Sequence, residues 1–297
     1  MKIEDIAAFV SVVRARSLSQ AAKDMGLTQP AITRRIQNLE ESLGIELLDR
    51  ATKPPKPNAA GQKVYEQCRA VLDQIERLRE LAAADAHPSG SLRLGLTQGI
   101  GDLVLQGTLD GLTTHYPDLQ PSIVTGWGQQ LLEQIHTGEL DAAATWLPVN
   151  AVLPKNATGQ ALGRTDLVVV APAKEVTRRA YRLVDWHTRG WVLNPDGCGF
   201  RAGLRRALTA LGLPLTVRLD TNSRELQLEL VADGHGLGLV PLPLLERSAR
   251  RQDLGVVPLT DFKPQIELWL LHRPALGRLQ EPVDQFGTFV AQVLQGA

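Results

Sequence analysis

The chain has 297 residues, with 32 Lys and Arg against 32 Asp and Glu, and two cysteines. This length predicts two or three domains with ample residues for a buried core. The balanced charge excludes a uniformly basic nucleic-acid binder, and two distant cysteines exclude a disulfide framework and a zinc finger. Since we find neither a signal-peptide pattern nor an apolar run of about 18 residues, we expect a cytoplasmic protein with no membrane contact.

The first predicted element is an amphipathic helix at the N-terminus. Its apolar residues recur at helical spacing, so one face of the helix should be buried. The members of that face are Ile3, Ile6, Phe9, Val10 and Val13. We expect this helix to cover the core of the segment that follows.

Two short helices joined by a sharp turn are predicted over residues 19–40. Ser19 suits the N-cap of the first helix, and Gly26 suits the left-handed conformation at its end. Thr28 suits the N-cap of the second helix, whose first turn accommodates Pro30. The residues of the second helix that should face the core are Ile32, Ile36, Leu39 and Leu43.

The opposite face of the second helix carries Gln29, Thr33, Arg34 and Gln37, which can hydrogen-bond base edges and phosphates in a major groove. A strand at residues 45–50, a loop with three prolines and a return strand predict a wing beside it. Arg35 adds to the local positive charge. The predicted DNA-contacting residues are Gln29, Pro30, Thr33, Arg34, Gln37, Arg50, Lys53 and Lys56. Helix–turn–helix corners also occur in proteins that contact no nucleic acid.

Residues 59–84 predict a long helix, since the stretch has no proline and its only glycine is near the start. Apolar residues alternate four and three apart, which is the pattern of a seam between two helices. The predicted dimerisation residues are Val64, Cys68, Val71, Ile75 and Leu78. The alternative is that this face packs on a neighbouring domain of the same chain. On the seam, Cys68 would be a small buried hydrophobe.

After a hinge-like break at residues 85–90 the pattern becomes alternating strands and helices, which indicates an α/β fold. The predicted strands cover residues 91–96, 120–125, 141–145, 166–171, 191–193, 216–219, 237–240 and 266–272. The predicted helices cover residues 101–115, 129–137, 200–211, 223–233 and 283–294.

The N-terminal motifs resemble those of the LysR-type transcriptional regulators. The matching run is Ser17-Leu-Ser-Gln-Ala-Ala, then Leu27-Thr-Gln-Pro-Ala-Ile-Thr-Arg-Arg-Ile, then Leu39-Glu-Glu-Ser-Leu-Gly-Ile-Glu-Leu-Leu-Asp-Arg50. This chain departs from the family at Leu48, where phenylalanine is usual, and at Pro57-Asn58, where Leu-Thr is usual. Gly138-Glu-Leu-Asp-Ala-Ala143 and Val231-Ala-Asp-Gly-His-Gly-Leu-Gly-Leu-Val-Pro241 resemble two motifs of the family's effector domain.

The resemblance implies a multidomain protein. It implies a winged helix-turn-helix at residues 1–58, a linker and dimerisation helix with a hinge at 59–87, and a periplasmic-binding-protein-like α/β effector domain. The effector domain would have subdomain I at 88–162 and 268–297 and subdomain II at 163–267. The implied partners are an inverted-repeat DNA operator, a small-molecule effector and a second copy of the chain bound through the linker helix. A tetramer is the implied larger assembly. RNA polymerase is a further candidate partner.

Ligands of open α/β sheets bind beyond the carboxyl ends of strands, near helix N-termini, and such termini favour an anion. We therefore expect a small carboxylate metabolite as the effector. The predicted effector-binding residues are Thr97, Gln98, Gly99, Ile100, Trp127, Trp146, Asn194, Phe200, Arg201, Asn222 and Ser223. Two alternatives stay open, because the aromatic side chains could be core residues and Arg201 could pair with a surface carboxylate.

Other signals do not support an enzyme or a metal site. The glycines of Gly234-His-Gly-Leu-Gly238 follow a predicted helix and open a strand, the reverse of a dinucleotide-binding loop. We find no catalytic triad and no metal-spaced cluster, so we predict no enzyme, no metal and no cofactor. A solute-binding protein is disfavoured by the attached winged helix. For Cys198, which lacks a second cysteine in the effector domain, a structural role is favoured over a redox switch.

Overall fold

The computed structural model of the chain describes residues 1–49, 52, 55–82, 87–153, 157–195 and 199–294. The chain divides into two compact units, Met1–Ala84 and Asp85–Ala297. Three residues singled out from the sequence, Arg50, Lys53 and Cys198, lie outside the described residues. In the described part of the chain, no helix is long and apolar enough to cross a membrane.

The first unit is helical apart from one small hairpin. Its elements are α1 Ile3–Ala15, α2 Leu18–Asp24, α3 Gln29–Leu43, β1 Leu48–Asp49, β2 Lys56–Pro57 and α4 Ala59–Ala82. The core contains the fully buried side chains of Phe9, Ile32 and Leu39, so α1 and α3 pack against each other as their apolar periodicity predicts. The buried Glu40 carboxylate accepts hydrogen bonds from the backbone N–H groups of Leu47 and Leu48, which fixes the start of the hairpin.

Some details of the first unit differ from the prediction. Ser17, not Ser19, is the N-cap of α2, and its hydroxyl accepts a hydrogen bond from the Gln20 N–H at 3.2 Å. The helix begins two residues earlier than predicted, because Ser17 also has the extended backbone of a cap. The predicted core positions Ile3 and Leu43 are exposed, since each lies in the terminal turn of its helix, where the packed face ends.

The second unit alternates strands and helices. Its elements are β3 Gly90–Thr97, α5 Gln98–His115, β4 Leu119–Gly126, α6 Gly128–His136, β5 Ala142–Pro148, β6 Thr158–Pro172, β7 Trp191–Leu193, α7 Phe200–Ala210, β8 Val217–Asp220, α8 Arg224–Ala232, β9 Gly238–Pro241, α9 Leu242–Glu246, β10 Leu254–Val256, β11 Gln265–His272 and α10 Gln280–Ala291. The sequence did not predict α9 or β10, and it predicted only the second half of β6.

Seven of these strands form one sheet, in the order β10-β6-β11-β5-β3-β4 with β9 also paired to β6. β3 runs parallel to β4 and β5, whereas β11 is antiparallel to β5 and β6. The first half of β6 pairs with β11, and its second half pairs with β9 and β10. The predicted subdomain boundaries at 162/163 and 267/268 fall inside β6 and β11, and those boundaries stay a prediction.

A buried carboxylate joins three strands of this sheet. Asp141 has 2% of its surface exposed, and its Oδ2 accepts from the Arg93 N–H at 2.8 Å and from Arg93 Nε at 3.1 Å. Its Oδ1 accepts from Arg93 Nη2 at 2.8 Å and from Arg273 Nε at 3.0 Å. Asp141 belongs to the Gly138–Ala143 motif, so this motif has a structural role in tying β3 and β11 to the start of β5.

Candidate nucleic-acid interface and ligand cavity

The second helix of the helix-turn-helix, α3, is held by caps at both ends. The Thr28 hydroxyl accepts a hydrogen bond from the Ala31 N–H at 3.4 Å, and Gly44 ends the helix at φ 68°. Gly26, which ends the preceding helix, has φ 62°. Both glycines have the left-handed backbone that a helix end favours, and for Gly26 this conformation was predicted from the sequence.

The polar face of α3 lies opposite its buried residues. Its members line one shallow surface depression and are Gln29, Pro30, Thr33, Arg34 and Gln37. Thr33 Oγ1 donates to the Gln29 carbonyl at 3.0 Å. Ser19 Oγ donates to Gln29 Oε1 at 3.1 Å, so the Gln29 amide N–H groups stay available for a base or phosphate. Within the described part of the chain, the exposed Arg34 guanidinium has no side-chain partner.

The hairpin beside α3 has a defined register, with Leu48 opposite Pro57 and Asp49 opposite Lys56. Lys56 is exposed. Asn58 has a structural role, because its Oδ1 accepts from the Gly61 N–H at 2.8 Å and caps α4. The departure from the family pattern at Pro57-Asn58 therefore supplies the N-cap of the long helix.

The predicted dimerisation residues of α4 divide into two groups. Val64 and the buried Cys68 pack against the core of the first unit, and burial raises the pKa of the Cys68 thiol. Val71 and Leu78 are exposed over 44% and 68% of their surface, and Ile75 is half-buried. The first turns of α4 thus complete the domain core, and Val71, Ile75 and Leu78 are the residues that stay available for a second copy.

The second unit contains a cavity of about 150 Å³ at the carboxyl ends of β3 and β5. The predicted effector-binding residues that line it are Thr97, Gln98, Gly99, Trp127, Trp146, Asn194, Phe200 and Asn222. These residues come from both predicted subdomains. The two tryptophans and Phe200 are wall residues of this cavity, and Trp146 and Phe200 also pack in the core of the second unit.

Three other predicted effector-binding residues do not line the cavity. Ile100 is fully buried in the core, since it lies one turn into α5 on the face toward the sheet. Arg201 Nη1 donates to Asp220 Oδ1 at 2.7 Å, which is the surface pairing that the sequence left open. The Ser223 hydroxyl accepts from the Leu226 N–H at 3.3 Å and caps α8.

Three helices begin at the cavity wall. The residues before α5, α6 and α7 are Thr97, Trp127 and Gly199, and none of them caps its helix with a side-chain hydrogen bond. Thr97 Oγ1 instead lies 2.8 Å from Thr145 Oγ1. Among the described residues, none at these three cap positions accepts from its helix through a side chain, and the helix dipoles place positive potential at this site.

The sequence missed several cavity residues, chiefly Arg224 and Gln227 on α8. Both are buried and both line the cavity. Arg224 Nη2 lies 2.6 Å from Glu225 Oε1 and 3.8 Å from Asp102 Oδ2. The 224–232 segment alternates polar and apolar residues, so helical periodicity did not show which face of α8 is buried. The other missed wall residues are Gly128, Gln129, Leu132, Thr145, Leu147, Pro148, Gly199, Leu239, Val240, Pro241 and Leu244.

Among curated relatives, the uncharacterized HTH-type transcriptional regulator YusT of Bacillus subtilis is 25% identical over 267 residues, 90% of this chain and 88% of the relative. The hydrogen peroxide-inducible genes activator of Pectobacterium carotovorum is 24% identical over 301 residues, 100% of this chain and 98% of the relative. Both are similar to this chain over nearly its whole length.

Solved structures share the fold. Full-length OxyR of Pseudomonas aeruginosa, a variant, has a TM-score of 0.75 at 20% identity and covers 98% of this chain and 94% of its own. Full-length CbnR in complex with its target DNA has a TM-score of 0.59 at 19% identity and covers 99% of this chain and 100% of its own.

Two family models match the chain. "Bacterial regulatory helix-turn-helix protein, lysR family" matches residues 3–62, and "LysR substrate binding domain" matches residues 85–295. Together with the polar face of α3 and the cavity of the second unit, these matches show that the chain belongs to the LysR family of DNA-binding transcriptional regulators.

Proposed function

We propose that the chain is an effector-controlled regulator whose two α3 helices, one from each copy of a dimer, read the half-sites of an inverted repeat. The residues expected to contact DNA are Gln29, Pro30, Thr33, Arg34, Gln37 and Lys56, joined by Arg50 and Lys53. Two symmetric recognition helices require half-sites about 34 Å apart, one turn of DNA. Exposed Val71 and Leu78, with half-buried Ile75 between them, support pairing of the α4 helices.

We infer further that a small carboxylate binds in the cavity of the second unit. The observation that carries this proposal is the meeting of three helix N-termini at one cavity, where none of the described cap residues bonds its helix through a side chain. An anion there would be stabilised by N–H groups and by the helix dipoles. Because the wall combines residues 97–148 with residues 194–244, a bound carboxylate would favour one arrangement of the two predicted subdomains over others.

The regulatory step is then a population shift. An effector that binds one arrangement more tightly than the other changes their ratio by its difference in affinity, and DNA binding responds by the same coupling free energy. The linker helices would pass this change to the DNA-binding units, altering the spacing or angle of the recognition helices. A tetramer that contacts two sites is the assembly we expect, with RNA polymerase as a candidate partner.

A gel shift with the chain's own upstream DNA tests this function. We expect a specific complex that the Gln29→Ala/Arg34→Ala variant does not form. A bound carboxylate should change the mobility of this complex or the protein concentration at which half of the DNA is bound. A thermal-shift screen of small carboxylates and amino acids identifies a compound that raises the Tm of the protein. The Asn222→Ala variant should lose the Tm increase caused by that compound. The matched control is Gln106→Ala, an exposed substitution on α5. Identical shifts by the wild type and the double variant would overturn the DNA-contact proposal.

A further inference from the structure

Arg16 lies at the turn between α1 and α2 with a left-handed backbone, at φ 49° and ψ 29°. The other non-glycine residue with a positive φ in the described part of the chain is Asn150. Asparagine tolerates this conformation because its short side chain can bond locally, whereas for a long side chain such as that of arginine it is unfavourable. Residues held in an unfavourable backbone conformation cluster at functional sites, so the presence of an arginine here needs an explanation.

The end of α1 does not itself require an arginine. A helix end of this shape is best filled by glycine, which has the left-handed conformation without steric cost. A positive charge near a helix C-terminus is favourable, but Arg14 already supplies one in the last turn of α1. Arg16 is exposed, and within the described part of the chain no hydrogen bond or ion pair holds its guanidinium. No polar contact among the described residues therefore offsets the unfavourable backbone.

Arg16 lies beside the first turn of α3. It directly precedes Ser17, the N-cap of α2. In the first turn of α2, Ser19 Oγ donates to Gln29 Oε1 at 3.1 Å, and Gln29 is the first residue of α3. Three residues of chain span at most about 11 Å, so the Cα atom of Arg16 lies within that distance of the Cα atom of Ser19. Arg16 is thus close to the N-terminal end of the polar face of α3, the end of a recognition helix that contacts base edges.

The group that DNA presents beside a bound recognition helix is phosphate. A major groove that holds a helix is about 12 Å wide, and its edges are the phosphates of the two strands. A residue beside the helix, rather than on its inserted face, lies next to these phosphates. Arginine binds phosphate through paired N–H groups and is always charged. An exposed arginine without an internal partner therefore fits this position in a complex with DNA.

We propose that Arg16 is a phosphate-binding residue of the DNA interface, and that this contact is the reason why an arginine has the left-handed backbone. The inference rests on the proposed reading of DNA by α3 and adds a contact outside the residues predicted from the sequence. Since a phosphate carries no base information, Arg16 contributes affinity for any DNA sequence and leaves the choice of operator to α3. Stability favours glycine at this position, whereas DNA affinity favours arginine.

Two measurements on the full-length protein test this assignment. Gel shifts give the affinity for the chain's own upstream DNA and for an unrelated duplex between 50 and 200 mM salt, and calorimetry gives the Tm of the free protein. Arg16→Gly should raise the Tm of the first unit by about 2–6 °C, because the unfavourable backbone is relieved. The same variant should bind both DNA sequences more weakly, with a salt slope of log K reduced by about 1 for each copy that contacts DNA. For one contact, the affinity ratio of wild type to variant should then fall about three- to fourfold between 50 and 200 mM salt.

Two further variants separate the charge of Arg16 from its backbone. Arg16→Lys retains both the charge and the unfavourable backbone, so it should keep the salt slope and the Tm of the wild type. Arg16→Asn removes the charge but tolerates the left-handed backbone, so it should resemble Arg16→Gly in both measurements. The matched control is Lys23→Ala, which removes an exposed cation from the last turn of α2 and should leave the salt slope unchanged.

The outcomes distinguish this inference from the proposed function. If Arg16→Gly keeps the affinity and salt slope of the wild type while Gln29→Ala/Arg34→Ala loses the specific complex, Arg16 is outside the interface and the role of α3 stands. If neither variant changes the gel shift, both proposals are wrong. A Tm that does not rise in Arg16→Gly and Arg16→Asn, or an equal loss of salt slope in Lys23→Ala, overturns the assignment. Weaker binding to both DNA sequences, a smaller salt slope and a higher Tm together support it.

Discussion

The Asp141→Asn variant should destabilise the second unit strongly. Asp141 is 2% exposed and accepts from two arginines. The Arg273 side chain is 7% exposed, so the substitution removes a carboxylate from a charge that stays buried, whereas Arg93 at 37% can turn to water. Breaking a buried ion pair costs about 3–5 kcal/mol, and the exposure of Arg93 places the expected loss near the lower end, at about 3 kcal/mol. For a domain of about 200 residues this lowers Tm by roughly 6–12 °C.

Scanning calorimetry and urea unfolding of the full-length protein measure this loss. The matched control is Asp118→Asn, which changes an exposed carboxylate and should shift stability by less than about 0.5 kcal/mol. A double-mutant cycle with Arg273→Met adds a second check, because removing both charges of the pair should cost less than removing the carboxylate alone. If Asp141→Asn unfolds within about 0.5 kcal/mol of the wild type, Asp141 does not hold the three strands together.

Three further predictions concern the DNA-binding unit and the sheet. Gly61→Ala should destabilise the first unit by about 1–3 kcal/mol in calorimetry, since its Cβ would lie 2.0 Å from the Leu47 carbonyl oxygen. The control is Gly107→Ala, which has open space around its Cβ and should instead stabilise the protein by about 0.5–1 kcal/mol. Equal effects of the two substitutions would contradict the predicted clash at Gly61. Arg34→Ala should weaken binding to operator DNA and reduce the salt slope of log K by about 1 if Arg34 contacts a phosphate. Exposed Arg206→Ala on α7 is the control, and an unchanged gel shift at every salt concentration would exclude Arg34 from the interface. For Glu267, hydrogen bonds from Arg164 at 2.7 Å and from Trp269 at 3.1 Å hold the pKa of the carboxyl below its ordinary value. The stability from this ionised group is full above the ordinary glutamate pKa and is lost as pH falls through the lowered folded pKa. Urea unfolding should therefore show Glu267→Gln less stable than the wild type at pH 7 and equal to it at strongly acid pH; a difference that persists in acid would refute the linkage.

The sequence predicted the elements well where a local signal defines them. Thr28 and Gly26 were identified correctly because a cap and a left-handed turn each need particular residue types. The first cap was misplaced by two residues, since Ser17 and Ser19 are both good caps and only the backbone distinguishes them. Short edge elements such as α9 and β10 have too few residues to show a period.

Eight of the eleven residues predicted to bind an effector line the cavity, and the arginine that lines it, Arg224, was not among those predicted. Strand ends and helix starts can be read from the sequence, and they identify Thr97, Trp127 and Asn222, which all line the cavity. The choice between Arg201 and Arg224 depends on pairing between distant segments. Arg201 pairs with Asp220 on β8, and no local sequence pattern indicates that pairing. Which of the two arginines lines the cavity can therefore be read only from the tertiary structure.

The position of β11 has a consequence for how the protein folds during synthesis. β11 lies between β5 and β6 in the sheet, yet it leaves the ribosome more than a hundred residues after β5. The large sheet therefore cannot close until the chain is almost finished, whereas the first unit, Met1–Ala84, contains all of its own core and can fold early. A nascent chain arrested before β11 should carry a folded DNA-binding head on an unfinished effector domain, with the edge of β5 exposed to chaperones.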